Sequence, residues 1–117
     1  MTVRPSASIN PSADYVDVVI ASGQTESEDI DTCGLAVIGI ETPTLTSTTL
    51  TFKVLSRDGV TYVPVSNDAG SLYDVTINRV GYSALDPSIM VGIRQFKVVG
   101  DSAEGADRTL RLVMRPV

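Results

Sequence analysis

A chain of 117 residues has the length of one domain with one core, and its 43% hydrophobic and 20% charged content is that of a globular protein rather than a disordered one. Nine Lys and Arg against fourteen Asp and Glu leave a net charge of −5, which repels a phosphate backbone, so direct nucleic-acid binding is not expected. The absence of histidine and tryptophan, with a single cysteine, removes most routes to acid–base, nucleophilic and transition-metal chemistry and rules out an internal disulfide.

Residues 1–13 hold Pro5, Pro11 and several small hydroxyl residues with no periodicity of either kind, and they read as an extended arm ahead of a domain spanning 14–117. The arm lacks the continuous apolar stretch of a secretory signal, and no apolar run in the chain is long enough for a bilayer. Neither export nor membrane insertion is expected.

From Tyr15 the period becomes two, with Val16, Val18 and Ile20 on one face and Tyr15, Asp17 and Val19 on the other, which predicts a strand. The acidic stretch Ser27–Asp31 suits a short edge strand, because its charges discourage unwanted pairing. Cys33, next to Gly34, is expected as a small buried filler. Gly34–Glu41 is apolar on both faces and short, as in a central strand, and Pro43 ends it. Thr49–Ser56 alternates with Leu50, Phe52 and Val54 inward and Thr49, Thr51 and Lys53 outward.

Asp58-Gly59 before Val60–Val65 predicts a hairpin, and Pro64 belongs at an edge or bulge because it cannot donate to a ladder. Asn67–Gly70 is a second turn, followed by predicted strands over Leu72–Ile77 and Gly81–Leu85. Asp86-Pro87-Ser88 has the form of a helix start, with Asp86 as cap and Pro87 at the first position, but Gly92 leaves room for about one turn. Ile93–Val99 and Arg108–Met114 close the chain as two long strands. About eight strands at roughly ten-residue spacing with no long helix predict an all-β fold, an antiparallel β-sandwich of the jelly-roll kind, with a small closed barrel as the competing architecture.

The chain carries little chemistry. A hydrolytic triad lacks its usual base, and Lys53 and Lys97 fall on alternating strands where an outward, solvated ammonium is expected. Asp58, Asp68, Asp86 and Asp101 fall in turns, where aspartate is favoured by local backbone bonding, so no buried carboxylate pair stands out. One thiol without imidazole cannot complete a zinc site, although turn carboxylates leave calcium open. The chain is expected to be neither an enzyme nor a cofactor protein. Tyr15, Tyr62, Tyr73 and Tyr82 are the aromatics available to a glycan, since Phe52 and Phe96 sit on apolar faces.

Three segments, Gly34-Leu-Ala-Val-Ile-Gly-Ile-Glu-Thr-Pro43, Leu50-Thr-Phe-Lys-Val-Leu-Ser-Arg-Asp-Gly59 and Ala84-Leu-Asp-Pro87 through Gly92-Ile-Arg-Gln-Phe-Lys-Val98, resemble parts of small proteins encoded among the virion genes of tailed bacteriophages and prophages. The likeness extends from Tyr15 to Val117, and its most distinctive part is the closing Ala106-Asp-Arg-Thr-Leu-Arg-Leu-Val-Met-Arg-Pro-Val117. It implies a virion structural component: a capsid decoration (cement) protein, or a small head or tail accessory protein. On that reading the chain is made in the host cytoplasm and sits on the capsid exterior as a homo-oligomer against the major capsid protein.

Candidate contacts are Arg4, Ile9 and Tyr15 together with the basic group Arg94, Arg108, Arg111 and Arg115, which would meet acidic patches on a shell. The same arginines also suit outward positions that simply keep a sheet soluble. A carbohydrate-binding module using Tyr62 or Tyr82 is the second expectation.

Overall fold

In the computed structural model, which describes residues 14–77 and 80–116, the chain forms nine strands and one helical turn. The strands are β1 (Asp14–Ile20), β2 (Ile30–Asp31), β3 (Ala36–Thr42), β4 (Thr49–Leu55), β5 (Tyr62–Pro64), β6 (Asp74–Thr76), β7 (Gly81–Ala84), β8 (Gln95–Gly100) and β9 (Arg108–Arg115). The helical turn, α1 (Pro87–Met90), lies between β7 and β8. The arm over residues 1–13, with Arg4 and Ile9, lies outside the described residues.

The strands build two antiparallel sheets, ordered β1-β9-β3-β7 and β2-β8-β4-β5, with β6 also paired to β4. β5 and β6 occupy the same side of β4, opposite its C-terminal and N-terminal halves, so together they act as one interrupted edge. Counted that way, the chain changes sheet at every connection except the β4–β5 hairpin. The β-sandwich expected from the period-two segments is therefore the fold.

Inward residues of the two sheets meet in a single core. Val18, Ile20, Val37, Ile40, Leu110 and Leu112 from one sheet face Leu50, Phe52, Phe96 and Val98 from the other. Phe52 lies at its centre, 5.7 Å from the ring of Tyr73 and 6.1 Å from that of Phe96, and each fully buried side chain of this size contributes roughly 1.5–3 kcal/mol.

The local turn signals are realised. Gly59 takes φ 75° in the β4–β5 hairpin, where the Asp58 carboxylate accepts hydrogen bonds from the Val60 and Thr61 amides. Those amides hold the Asp58 carboxyl below its usual range. Asp86 caps α1 by accepting from the Ser88 amide at 2.9 Å, with Pro87 at the first position. Pro64 sits on an exposed edge.

Two expectations need correcting. Cys33 is exposed, not buried: it adopts φ 54°, and its amide donates to the Asp31 carboxylate at 2.8 Å, a tight turn that points the thiol outward. The strand expected over Leu72–Ile77 shortens to Asp74–Thr76, because Leu72 is taken up by a bridge to Ser66 that closes the Asn67–Gly70 turn.

Candidate interaction surface

Strand alternation aims every second residue of the four-stranded sheet away from the core, and the register lines these residues up in rows. One row runs Tyr15, Val113, Gly39, Ala84, and the next runs Asp17, Arg111, Glu41, Tyr82. The first row is small and apolar except for its tyrosine; the second alternates charge. Tyr15 and Tyr82 close opposite edges of the face and are 59% and 53% exposed.

Each tyrosine is held from one side. The Arg111 guanidinium lies 4.2 Å from the centre of the Tyr15 ring, and its Nε donates to Asp17 at 2.9 Å. The hydrogen bond from Arg111 holds the Asp17 carboxyl below its usual range, and the same bond raises the guanidinium. Tyr82 lies flat on Gly39: a Cβ there would fall 1.9 Å from the Tyr82 hydroxyl oxygen. The β-bulge between Val37 and Gly39 sets this seat, and the Tyr82 hydroxyl makes a long 3.5 Å contact with the Ile38 carbonyl. The missing side chain of Gly39 leaves the space on the outer face that the Tyr82 ring fills.

The outer face of the other sheet is closed on itself. Lys53 and Lys97 are directly opposite each other, a repulsive pairing that Glu26 relieves by bonding Lys53 at 2.5 Å and lying 3.9 Å from Lys97. The Lys53 bond holds the Glu26 carboxyl down. Lys97 rests 4.7 Å from the centre of the Tyr62 ring, and the Tyr62 hydroxyl donates to Asp29, which also accepts from Gln95. That bond pushes the Tyr62 phenol up. Both lysines point outward as expected, but as members of a network rather than as solvated ammonium groups.

Of the residues expected to make contacts, Tyr15, Arg111 and Arg115 share the outer face of the four-stranded sheet. Arg94 is elsewhere, ahead of β8, where its Nε donates to Asp31 at 3.2 Å. Arg108 turns back to Glu104 at 3.2 Å. Three of the four arginines are therefore matched to carboxylates of their own chain. Sequence reasoning missed Glu41 and Val113 on this face, although both occupy outward positions that the period-two alternation marks.

No known protein family matches the chain, and neither does any curated protein sequence. Among solved structures it is similar to the SPBc2 prophage-derived protein YomS, with a TM-score of 0.55 and 14% identity over 87% of this chain and 93% of that one. At that identity the likeness is one of fold. It covers nearly the whole of both chains, so the two share a complete sandwich and not a fragment of one.

Proposed function

We propose that this chain is a bacteriophage virion structural protein, a capsid decoration protein that binds the outside of the shell and reinforces contacts between capsid subunits. We read the sheet-to-sheet wrapping of the strands as a jelly roll, an architecture suited to presenting flat outer faces to neighbouring subunits. The reading is supported by a fold shared with a prophage-derived protein and by the resemblance of the strand and turn segments to virion proteins. The observation that carries it is the outer face of the four-stranded sheet, where two exposed tyrosines flank Val113, Ala84 and the Asp17–Arg111–Glu41 row. Tyrosine and arginine dominate binding energy at interfaces, and side chains seated before binding lose little entropy on contact. The major capsid protein is the partner, and copies of the chain assemble on it as a homo-oligomer.

The test is co-sedimentation of the chain with purified capsids of the phage that encodes it. Tyr82→Ala and Arg111→Glu should each lower occupancy at least about tenfold, the effect of losing roughly 1.4 kcal/mol. Undiminished occupancy in both variants would remove this face from the interface. Removal of residues 2–13 should also lower occupancy while leaving the fold intact.

A second reading is favoured by one observation. Tyr82 presents an open ring beside Glu41, as a glycan platform requires, whereas Tyr62 is tied to Asp29 and Lys97. Binding on a glycan array that vanishes with Tyr82→Ala, with capsid binding intact, would favour a carbohydrate-binding module or a tail accessory protein.

A further inference from the structure

Two open sheets have four edges, each a template for pairing with another chain unless something blunts it. Three are blunted here. The last residues of β1 are covered by the segment that follows: Ile20 bridges Ser27, and the Val19 amide donates to the Glu28 carboxylate at 3.2 Å. β2 is two residues long and carries Asp31. The interrupted edge of β5 and β6 holds Asp74 and Pro64, which has no N–H to offer. β7 has none of these devices. The run Val80-Gly-Tyr-Ser-Ala-Leu85 contains neither a charge nor a proline, and Val80 and Tyr82 are 60% and 53% exposed.

The backbone of β7 is also set to pair. The Leu85 amide donates to the Ile38 carbonyl at 3.0 Å, so by the alternation of an antiparallel ladder Ser83 bonds β3 as well, while Tyr82 and Ala84 turn their amides and carbonyls to the open side. Among the described residues no backbone partner reaches those groups. The Tyr82 side chain does not shield them either, because its ring lies over Gly39 of β3, away from the edge.

We infer that β7 pairs antiparallel with β7 of a second copy across a two-fold axis at Tyr82, joining their four-stranded sheets into one continuous sheet. The inference deepens the reading of the chain as a self-associating structural subunit and rests on it. In this register Tyr82 stands opposite Tyr82 of the second copy, and Val80 stands opposite Ala84 in both directions. The amides and carbonyls left open on each edge then satisfy each other. Charge favours a second copy as the occupant: two chains of net charge −5 meet along an edge that opposes no like charges. Symmetry favours it too, since the pattern of small residues about a central tyrosine reads alike from both directions and suits a closed, isologous contact. The row Asp17, Arg111, Glu41, Tyr82 of one copy continues into that of the other, so both outer faces stay open to a shell.

The experiment uses the full chain in solution without capsids. Sedimentation equilibrium should give a dimer. Ala84→Pro, which removes an amide that β3 does not use, should weaken association at least about tenfold, with the dispersion of the amide spectrum showing that the variant is folded. Register is read independently in a Cys33→Ser chain. The Cα atoms of residue 82 in the two copies would lie about 5.5 Å apart, within reach of a disulfide, and those of residue 84 about 13 Å apart, beyond it. Tyr82→Cys should therefore cross-link to itself on mild oxidation, and Ala84→Cys should not. A monomeric chain, species larger than a dimer, or association unchanged by Ala84→Pro would overturn the inference. If Ala84→Pro fails to fold, equal cross-linking of the two cysteine variants, or none in either, overturns it instead. Capsid occupancy is measured separately: a monomer that binds capsids leaves the decoration reading standing, and a dimer that does not bind them leaves the seam standing. Loss of capsid binding by Ala84→Pro in a chain that is monomeric throughout would give the edge to a strand of the shell.

Discussion

The two ends of this sandwich are closed by opposite chemistry. At one end the loops following β1, β3 and β8 converge on Glu104, which is 2% exposed. Its carboxylate accepts from the Thr46 amide at 2.7 Å, the Ser47 amide at 3.1 Å and Arg108 Nε at 3.2 Å, while its backbone bonds Gly23 and Gln24. Burial pushes this carboxyl up, but the amides of Thr46 and Ser47 and the guanidinium of Arg108 outweigh it and hold it below its usual range. Ser47 and Ser102 bond each other reciprocally beside it. At the other end a single helical turn, capped by Asp86, covers the core through Met90 and leaves beside it a groove of mixed lining, where Val54, Val65, Ile89 and Ile93 meet Asn67, Asp68 and Asp86. A buried charge with every oxygen satisfied ties loops together, whereas a single helical turn over partly covered side chains leaves its end of the core less completely closed.

The contrast is broken first by removing its carboxylate. Glu104→Ala should cost about 3 kcal/mol in chemical denaturation, because the buried Ser47 amide, the part-buried Thr46 amide and a partly buried guanidinium lose their acceptor. Glu104→Gln should cost less, since it keeps one acceptor oxygen. A cost within experimental error for Glu104→Ala would mean that the loop end is not organised by this residue.

Acidification sharpens the same point. A carboxyl whose folded pKa lies below its unfolded value contributes stability that is full above the unfolded pKa and is lost as pH falls through the folded one. Unfolding free energy should therefore decline below about pH 4.5, the ordinary value for Glu104, and Glu104→Gln should flatten part of that decline. Equal slopes for the two proteins would remove Glu104 as a source of the acid sensitivity.

At the helical end the effects should be smaller. Asp86→Ala removes a cap and should cost about 1 kcal/mol by the same denaturation measurement. Gly39→Ala should cost less still, because the exposed Tyr82 ring can swing away, and its main readout is loss of the nuclear Overhauser contacts between Tyr82 and residue 39. Contacts that survive the substitution would show that the ring does not rest on that glycine.

Local signals were the legible part of this fold. Alternation marked β1, β4, β8 and β9, Asp58-Gly59 marked its hairpin, and Asp86-Pro87-Ser88 marked a helical turn, because in each the deciding interaction spans only a few residues. Cys33 was misjudged because it stands at the entrance to an apolar strand while its own backbone is set by Asp31 in a left-handed turn. The candidate surface was half legible: Tyr15 and Arg111 stood out as outward residues, but that they stack, and that Asp17 is the partner of Arg111 from 94 residues away, follows only from strand pairing. The late arginines were expected to meet acidic patches on a shell, and strand pairing instead brings Arg94 to Asp31 and Arg111 to Asp17 inside one chain.

By itself the sequence determined which faces of the strands are apolar, where the chain turns, and that short strands enclose one core, since these follow from a period of two and from residues acting on near neighbours; that the strands form two sheets and not a closed barrel came from their pairing. The tertiary structure alone decided the strand order, the burial of Glu104 beneath three loops, the seat of Tyr82 on Gly39 and the groove beside α1. Each of these depends on residues far apart in the chain being brought within a few ångströms, and no local pattern encodes that distance.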